Sequence, residues 1–425
     1  MKQTIDLYNK ILKKIKPSKK ELEEIKYISG EITTKIQEKI NKRGIGAEIC
    51  IGGSFAKKTI IKKDKYDIDL FIRFGGEYKD KDISSITEKI IEGCRFSGVE
   101  KIHGSRDYFK IIKNSQLYFE IIPVMKVKNE AANITDLSYS HVNYIKKKIS
   151  SEKIIDEILI TKYFCHLNNC YGAESYIRGF SGYGIELLIC HYKSFENFLR
   201  AVAKNKGEKM FIDQEKHYKN KNEIMMDINS SKLNSPIILI DPTHKQRNAL
   251  AALSDETFKK FRNYSKKFLK NPNERNFFQK KLSIDELKKT AIAKNRNFAA
   301  VIAETDKQEG DIAGSKLMKF YNHLISEIEK KYALEKKSFE YHHKKEAEYF
   351  FEVSKAKEII FNGPYSKDKE NCEKFKKKHK RIFEKKGRIY AIGKTDTGIK
   401  KFLKEWIIKN KKMIDEMYIR DVKVE

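Results

Sequence analysis

Two aspartates one residue apart, Asp67 and Asp69, are the residues whose types and spacing most clearly permit chemistry. They lie in Tyr66–Phe74, which is apolar and β-branched apart from its charges and so predicts a strand. Alternate side chains of a strand share a face, so both carboxylates point the same way. Adjacent carboxylates repel each other unless a cation lies between them, and hard oxygen ligands suit magnesium.

A glycine-rich turn, Gly52-Gly53-Ser54, precedes this strand. Such a turn predicts a short helix whose first backbone N–H groups favour a phosphate. Taken singly, the turn and the acids are more simply explained as a loop and a half-exposed strand with solvated carboxylates. At this spacing the two together indicate a metal site beside a phosphate cradle, as nucleotidyl transfer requires.

Glu120 is the natural third acid. Residues 107–127 contain two apolar runs separated by Lys113-Asn114-Ser115, which predicts a β-hairpin. Glu120 is the one charge in the second run, and such a charge is costly to bury unless it is paired or metal-bound. The alternative is a glutamate on the solvent face of an edge strand.

Composition points to a large anionic partner. The chain has 425 residues and a net charge of +30, which predicts two to four domains and binding to nucleic acid or an anionic membrane. No run of eighteen apolar residues and no signal peptide is present, so membrane insertion is not expected. The six scattered cysteines lack a C-x-x-C pair and indicate reduced, mostly buried thiols of a cytoplasmic protein.

The order of predicted elements indicates an α+β multidomain protein. Two helices divided at Pro17-Ser18, the strand, a helix at 83–91 and the hairpin make a mixed α/β head over residues 1–135. Helical patterns at 142–149, 155–167 and 186–199 and a strand at 236–241 make a neck over 136–265. From 266 to 425, strands at 298–303, 349–353 and 388–392 alternate with helices at 314–333 and 369–383.

Four blocks then match a known family. They are Gly52-Gly-Ser-Phe-Ala-Lys57 with Asp67-Ile-Asp69; Tyr171-Gly-Ala-Glu with Ile177-Arg-Gly-Phe-Ser-Gly-Tyr-Gly-Ile-Glu-Leu-Leu188; Asp241-Pro with Arg247-Asn248; and Gly363-Pro with Gly387-Arg-Ile-Tyr390. In these blocks the chain resembles the archaeal class I CCA-adding enzymes, tRNA nucleotidyltransferases of the DNA polymerase β superfamily. The second block is the most specific, because the first occurs in many nucleotidyltransferases.

The resemblance implies a polymerase β-type catalytic head, a helical neck with the nucleotide pocket, and a C-terminal tRNA-binding body and tail. It assigns metal binding and catalysis to Asp67, Asp69 and Glu120, where the family usually has aspartate at the third position. It assigns nucleotide binding to Gly53, Ser54, Lys57, His141, Lys162, Tyr171 and Arg247. His244 is a second departure, at a position where the family pattern has an acid.

The implied activity is addition of the 3′-terminal CCA to tRNA from CTP and ATP, with Mg²⁺ as cofactor. The implied partner is the acceptor stem and T arm of tRNA, without a membrane, and a homodimer is compatible with the resemblance. Arg247 would select the base, because a guanidinium only donates hydrogen bonds and the edges of cytosine and adenine carry acceptors. Two alternatives stay open: an oligoadenylate synthetase-like or poly(A)-adding relative, and a catalytically inactive RNA-binding relative.

Overall fold

The protein is described here by a computed structural model covering residues 2–79, 81–104, 106–126, 134–277, 284–342, 344–356, 358–394 and 398–425. The chain forms two compact units, Met1–Gln279 and Lys280–Glu425. The α+β multidomain class is confirmed. The division into three domains at 135 and 265 stays a prediction. The second of those positions falls inside a helix of the N-terminal unit.

The first half of the N-terminal unit is built on a five-stranded sheet. Its elements are α1 (Lys2–Ile15), α2 (Lys19–Lys42), β1 (Ala47–Ile51), α3 (Gly53–Ala56), β2 (Tyr66–Phe74), α4 (Ile83–Cys94), β3 (Val99–Ile102), β4 (Tyr108–Asn114) and β5 (Leu117–Met125). The strand order is β1-β2-β5-β4-β3, and β2 and β5 run parallel. The predicted strand, turn helix and hairpin are all confirmed; Val127, at the end of the predicted hairpin, lies outside the described residues.

The core of this sheet explains why the acids face outwards. On β2, Ile68, Leu70 and Ile72 are fully buried and pack with isoleucines of α2 and α4. Because side chains alternate along a strand, burying this set leaves Asp67 and Asp69 on the opposite face. The helix α2 that covers the buried face begins at the predicted capping box, in which Ser18 and Glu21 satisfy each other's backbone N–H groups.

The second half of the N-terminal unit is mainly helical. Its elements are α5 (Ser138–Lys148), α6 (Glu152–Leu167), α7 (Gly182–Tyr192), α8 (Phe195–Lys204), β6 (Met210–Ile212), α9 (Lys221–Asp227), β7 (Ile237–Asp241), β8 (His244–Asn248), α10 (Asp255–Lys270) and α11 (Glu274–Phe277). Its core centres on a cluster of phenylalanines: Phe164, Phe195, Phe198, Phe261, Phe268 and Phe277.

The C-terminal unit contains two antiparallel sheets. Its elements are α12 (Ile284–Ala293), β9 (Asn297–Glu304), α13 (Asp311–Glu329), β10 (Tyr332–Tyr341), β11 (Glu346–Ala356), β12 (Glu358–Tyr365), α14 (Lys369–Lys378), β13 (Arg381–Lys385), β14 (Arg388–Lys394), α15 (Ile399–Lys409), α16 (Lys411–Glu416) and β15 (Asp421–Val424). The strand orders are β10-β11-β9-β15 and β12-β14-β13.

Three predicted helix boundaries are wrong. The segment 186–199 is not one helix, because Lys193 adopts a left-handed conformation and Ser194 caps the next helix. The helix predicted for 314–333 ends at Glu329, and Tyr332 is buried as the first residue of a strand. The helix predicted for 369–383 ends at Lys378, after which Arg381 starts β13.

All six cysteines are free, and all but the half-buried Cys50 are buried, as predicted. In the part of the chain that the structure describes, no helix has the length and apolar character needed to cross a bilayer.

Candidate active site

The three predicted acids lie on adjacent parallel strands. The register pairs Asp69 of β2 directly with Glu120 of β5, and Asp67 lies two residues earlier on the same strand. Paired residues of neighbouring strands project to the same face, so the three carboxyl groups share one side of the sheet. The predicted shared face of Asp67 and Asp69 is therefore confirmed, Glu120 lies on that face as well, and the role of all three as metal ligands stays a prediction.

Burial, followed by the charges of the neighbouring acids, raises the pKa values of two of these residues. Burial, and then the charge of Asp67, raises the pKa of Asp69 to about 6. Burial, and then the charges of Asp69 and Asp67, raises the pKa of Glu120 to about 7. Burial and repulsion together disfavour the ionised acids, and a bound cation would stabilise them.

Lys63 supplies one compensating charge. Its Nζ lies 2.7 Å from Asp67 Oδ1, and both side chains are about two-fifths exposed. As they stand, no three His, Cys, Asp or Glu side chains of the described ranges are arranged to hold a metal ion. The ion pair with Lys63 is made at Oδ1, one of the two carboxylate oxygens of Asp67.

The glycine turn is fixed against the acids. Gly52 caps α3, and its N–H donates to the carbonyl oxygen of Asp69 at 2.8 Å. Gly53 has φ +58°, and a Cβ there would lie 1.7 Å from Asp69 Oδ2. Both the left-handed backbone and the contact with the carboxylate therefore require glycine at 53. Ser54, the next residue of α3, is half-buried beside it.

A fully buried glutamate, Glu186, joins the head to the neck. It accepts hydrogen bonds from Lys57 Nζ at 2.6 Å, from Thr59 Oγ1 at 2.6 Å and from Lys162 Nζ at 2.8 Å. Burial alone would raise the pKa of Glu186, but Lys162 and Lys57 outweigh it and lower that pKa to about 2. Two of the predicted triphosphate contacts are thus held by one carboxylate.

Lys162 has little freedom left in this arrangement. Besides Glu186, its Nζ donates to the carbonyl oxygen and the hydroxyl of Thr59, both at 3.1 Å. An ammonium group has three N–H donors, so all three are satisfied, and the residue is 2% exposed. Contact between Lys162 and a triphosphate would require one of these bonds to be exchanged for a phosphate oxygen.

A second buried acid, Asp241, holds two further predicted residues. Its Oδ2 lies 2.9 Å from His141 Nε2 and accepts a hydrogen bond from Arg247 Nη1 at 2.5 Å. Its Oδ1 accepts from the Tyr183 hydroxyl and from the backbone and side chain of Thr243. Although burial opposes it, His141 and Arg247 keep the pKa of Asp241 well below its usual range.

The ion pair between Asp241 and Arg247 holds Arg247 in place, although residue 244 is a histidine and not an acid. Asp241, the first residue of the motif, pairs with the guanidinium, and His244 lies opposite Asp241 in the β7–β8 hairpin. The ion pair occupies Nη1 of a group that carries five N–H donors, and the Arg247 side chain is 22% exposed. Arg247 is therefore anchored at one nitrogen and still accessible.

Tyr183 lies between the residues held by Glu186 and those held by Asp241, and the sequence analysis assigned it no role. Its ring stacks on His141 with centroids 4.0 Å apart, and Lys57 Nζ and the Arg247 guanidinium each lie 5.9 Å from the ring centre. The charge of Lys57 partly offsets the rise in the pKa of Asp69, and it adds to the fall that burial causes in the pKa of His141. Lys57 therefore lies between the acids on the sheet and the neck residues.

Tyr171 lies on the neck side of the same site. Its ring stacks on His166 with centroids 3.8 Å apart. A Cβ at Gly182 would lie 2.8 Å from the Tyr171 hydroxyl and 4.0 Å from Lys162 Cε. Gly182 therefore allows Tyr171 to approach the start of α7 next to Lys162. Burial raises the pKa of the Tyr171 hydroxyl, and the charges of Glu186 and Asp67 raise it further.

Two family models match the N-terminal unit. Residues 1–147 match the model of the Second Messenger Oligonucleotide or Dinucleotide Synthetase domain. Residues 156–279 match the second domain of tRNA nucleotidyltransferase. Residues 148–155 lie between the two matches.

Two curated relatives are both named CCA-adding enzyme. The CCA-adding enzyme of Nanoarchaeum equitans is 41% identical over 213 residues, which are 50% of this chain and 52% of that protein. The CCA-adding enzyme of Thermoplasma volcanium is 31% identical over 275 residues, which are 63% of this chain and 57% of that protein. The matched part thus spans little more than half the length of these relatives.

Solved structures agree on the fold. An RNA terminal U-transferase described as cytoplasmic superposes with a TM-score of 0.51 at 14% identity, over 67% of this chain and all of that one. Cid1 in complex with a UTP analogue superposes with a TM-score of 0.50 at 14% identity, over 66% of this chain and 99% of that one. The resemblance to the archaeal CCA-adding enzymes is confirmed, and the N-terminal unit has the polymerase β-type nucleotidyltransferase fold.

Proposed function

We propose that this protein adds and repairs the 3′-terminal CCA of tRNA, using CTP and ATP without a template and releasing pyrophosphate. The observation that carries the proposal is the parallel register of β2 and β5, which sets Asp69 beside Glu120 with Asp67 on the same face. The matches to CCA-adding enzymes and to the tRNA nucleotidyltransferase second domain supply the substrate class.

Asp67, Asp69 and Glu120 would hold Mg²⁺. Their hard oxygen donors and mutual repulsion fit a divalent cation, and the ion pair with Lys63 involves one of the two carboxylate oxygens of Asp67. When bound, such ions lower the pKa of an attacking hydroxyl and neutralise a triphosphate. Glu120, which lies on the same face as the two aspartates, would also accept the proton of the tRNA 3′-hydroxyl.

The remaining residues would orient the nucleotide. Gly53 and Ser54 present the backbone of α3, and Lys57 and Lys162 bring positive charge to the triphosphate side. His141 and Tyr171 would complete the triphosphate contacts. Holding the triphosphate in one pose lowers the entropy cost of reaction, which is the main contribution that such residues make.

Arg247 would select the base. Cytosine N3 and O2 and adenine N1 accept hydrogen bonds, whereas uracil N3 and guanine N1 carry hydrogens that would face a donor. UTP and GTP would therefore leave a donor of Arg247 unpaired, at the cost of a lost hydrogen bond. Asp241 supports this role because it holds the guanidinium while leaving the side chain partly exposed.

The acceptor stem and T arm of tRNA would be the macromolecular substrate. A net charge of +30 suits an RNA duplex that is recognised by its shape and phosphates, because A-form RNA hides its base edges. The tRNA pool of the cytoplasm is the corresponding place of action. A homodimer stays a prediction.

The test is incubation of a tRNA lacking CCA with each nucleotide separately and with CTP and ATP together. We expect C and A incorporation that stops once CCA is complete, and no incorporation of U or G. Long A tracts would instead identify a poly(A)-adding enzyme. Retained tRNA binding without any incorporation would identify an inactive relative.

A second candidate activity is synthesis of short oligonucleotides without tRNA, because residues 1–147 match the oligonucleotide synthetase domain. It needs only the head and the nucleotide pocket. Incubation with nucleoside triphosphates alone separates the two, since the proposed function predicts no product without tRNA, whereas the second candidate predicts soluble oligonucleotides.

A further inference from the structure

The sheet formed by β12, β14 and β13 in the C-terminal unit has one covered face. Helix α14 packs on it through the buried Cys372 and through Phe375. A Cβ at Gly363 would lie 2.8 Å from Phe375 Cε1 and 2.8 Å from Ile389 Cγ1, so backbone and helix are in close contact there. Ile389 and Ala391 are accordingly buried.

The other side of this sheet, here called the open face, carries aromatic and aliphatic groups that reach solvent. Ile360 is 62% exposed and Tyr365 is 63% exposed. The strand register places Tyr390 between Asn362 and Phe383, and the rings of Tyr390 and Phe383 are 5.4 Å apart at an angle of 18°. These two rings therefore lie nearly parallel on neighbouring strands.

Arginine accompanies the rings. The register pairs Arg388 with Tyr365, and the guanidinium lies 5.0 Å from the centre of that ring. Its Nε donates to the carbonyl oxygen of Gly363 at 2.6 Å, which fixes the plane of the group. A fixed guanidinium over an aromatic ring offers a further flat, positively charged surface for stacking.

The charge around the open face identifies the class of partner. The strand register places Arg381 and Lys385 of β13 on the same face as Arg388 of β14, and Lys386 follows at the β13–β14 turn. These positive charges would not strengthen the binding of an apolar protein partner, whereas they would strengthen the binding of a polyanion. Parallel aromatic rings within a basic surface are the chemistry that binds nucleobases by stacking while cations contact the phosphates.

We propose that the open face binds RNA by stacking one or more of its bases on Tyr390, Phe383 and Tyr365. This inference rests on the proposed function, since it assigns part of the tRNA contact to a defined surface of the C-terminal unit. Paired bases within an A-form helix offer no free ring face, so the stacked base belongs to a loop or to the end of a helix.

Equilibrium binding of the full chain to tRNA lacking CCA, measured by fluorescence anisotropy over a range of salt concentrations, tests the proposal. Tyr390→Ala and Phe383→Ala should each weaken binding by roughly 5- to 150-fold, the range for loss of one stacked base. The salt dependence should stay unchanged, because neither variant removes a phosphate contact.

Matched variants separate stacking from charge and from damage to the fold. Tyr390→Phe should keep the parental affinity, because the ring is retained. Lys386→Ala, at the exposed turn between β13 and β14, should weaken binding and reduce the salt slope by about 1. Tyr27→Ala removes an exposed tyrosine from α2 in the other unit and should change neither quantity. The emission of Trp406, the single tryptophan, reports whether the C-terminal unit of each variant is folded.

The proposal is overturned if folded Tyr390→Ala and Phe383→Ala both bind within twofold of the parent chain; the open face would then fit a protein partner. It is equally overturned if these variants change the salt slope as Lys386→Ala does. Failure of the parent chain to incorporate C and A would remove the proposed function, yet it would leave the measured stacking contribution to RNA binding intact.

Discussion

Glu186→Gln should be the most damaging single substitution in the candidate active site. The variant keeps the shape of the side chain but leaves the ammonium groups of Lys57 and Lys162 buried without a counter-charge. The fall in the pKa of Glu186 from 4.5 to about 2 corresponds to roughly 3 kcal/mol. Breaking a buried ion pair costs about 3–5 kcal/mol by mutation, which is of the same size.

The pH dependence of this loss has a definite sign. Because folding lowers the pKa of Glu186, its stabilisation is fully present above the unfolded value of 4.5 and is lost as pH falls towards 2. Glu186→Gln should therefore differ most from the parent at neutral pH, and the two should converge in acid. Thermal unfolding followed by far-UV circular dichroism at a series of pH values measures the difference.

For a unit of this size, 3 kcal/mol lowers the melting temperature by roughly 6–12 °C. Glu274→Gln is the matched control, because Glu274 pairs with Lys10 on the surface of the same unit and such pairs contribute about 0–1 kcal/mol. Trp406 emission should not register the loss, since that residue lies in the other unit. A Glu186→Gln variant within about 1 kcal/mol of the parent at neutral pH would refute the reasoning.

Further predictions concern catalysis and recognition. Asp69→Asn should reduce C and A addition by at least roughly 100-fold, about 3 kcal/mol of barrier, with unchanged tRNA affinity in a binding assay. Glu120→Asp should retain activity in the same incorporation assay. Burial and mutual repulsion raise the pKa of Asp69 to about 6 and that of Glu120 to about 7. Ionising these two acids above those pH values therefore destabilises the metal-free chain. Mg²⁺ should accordingly raise the melting temperature more at pH 8 than at roughly pH 5. Arg247→Ala should lower discrimination against UTP by roughly 10- to 100-fold in single-nucleotide incorporation. A minihelix of acceptor stem and T arm should be extended almost as well as whole tRNA in the same assay.

Short-range patterns account for what the sequence could predict. The shared face of Asp67 and Asp69 follows from strand alternation, and the register with Glu120 needs only that both strands bury their apolar residues on one side. The ends of helices were harder to predict, because lysines, which favour helices, continue beyond the last helical residue. Residues 379–383 keep a helix-compatible pattern, but the sheet takes Ile382 and Phe383, since tertiary packing outweighs local propensity.

The residues that sequence reasoning missed act between elements distant in the chain. Glu186 bonds to residues 129 and 127 positions away, and Tyr183 brings His141 and Arg247 to one ring. A signal for Glu186 did exist: it is the one charge in the apolar helix segment 185–190, the same feature that drew attention to Glu120. The partner of such a charge cannot be read from spacing, because it depends on which helix packs against which strand.

The two buried acids, Glu186 and Asp241, hold different sets of residues. Glu186 holds Lys57 and Lys162, and Asp241 holds His141 and Arg247. Each carboxylate is fully buried and carries several hydrogen bonds, so each fixes its cations at the cost of burying charge. The proposed selection of two bases over two others would require such fixed donors, because a mobile guanidinium could turn to meet uracil or guanine as readily as cytosine or adenine.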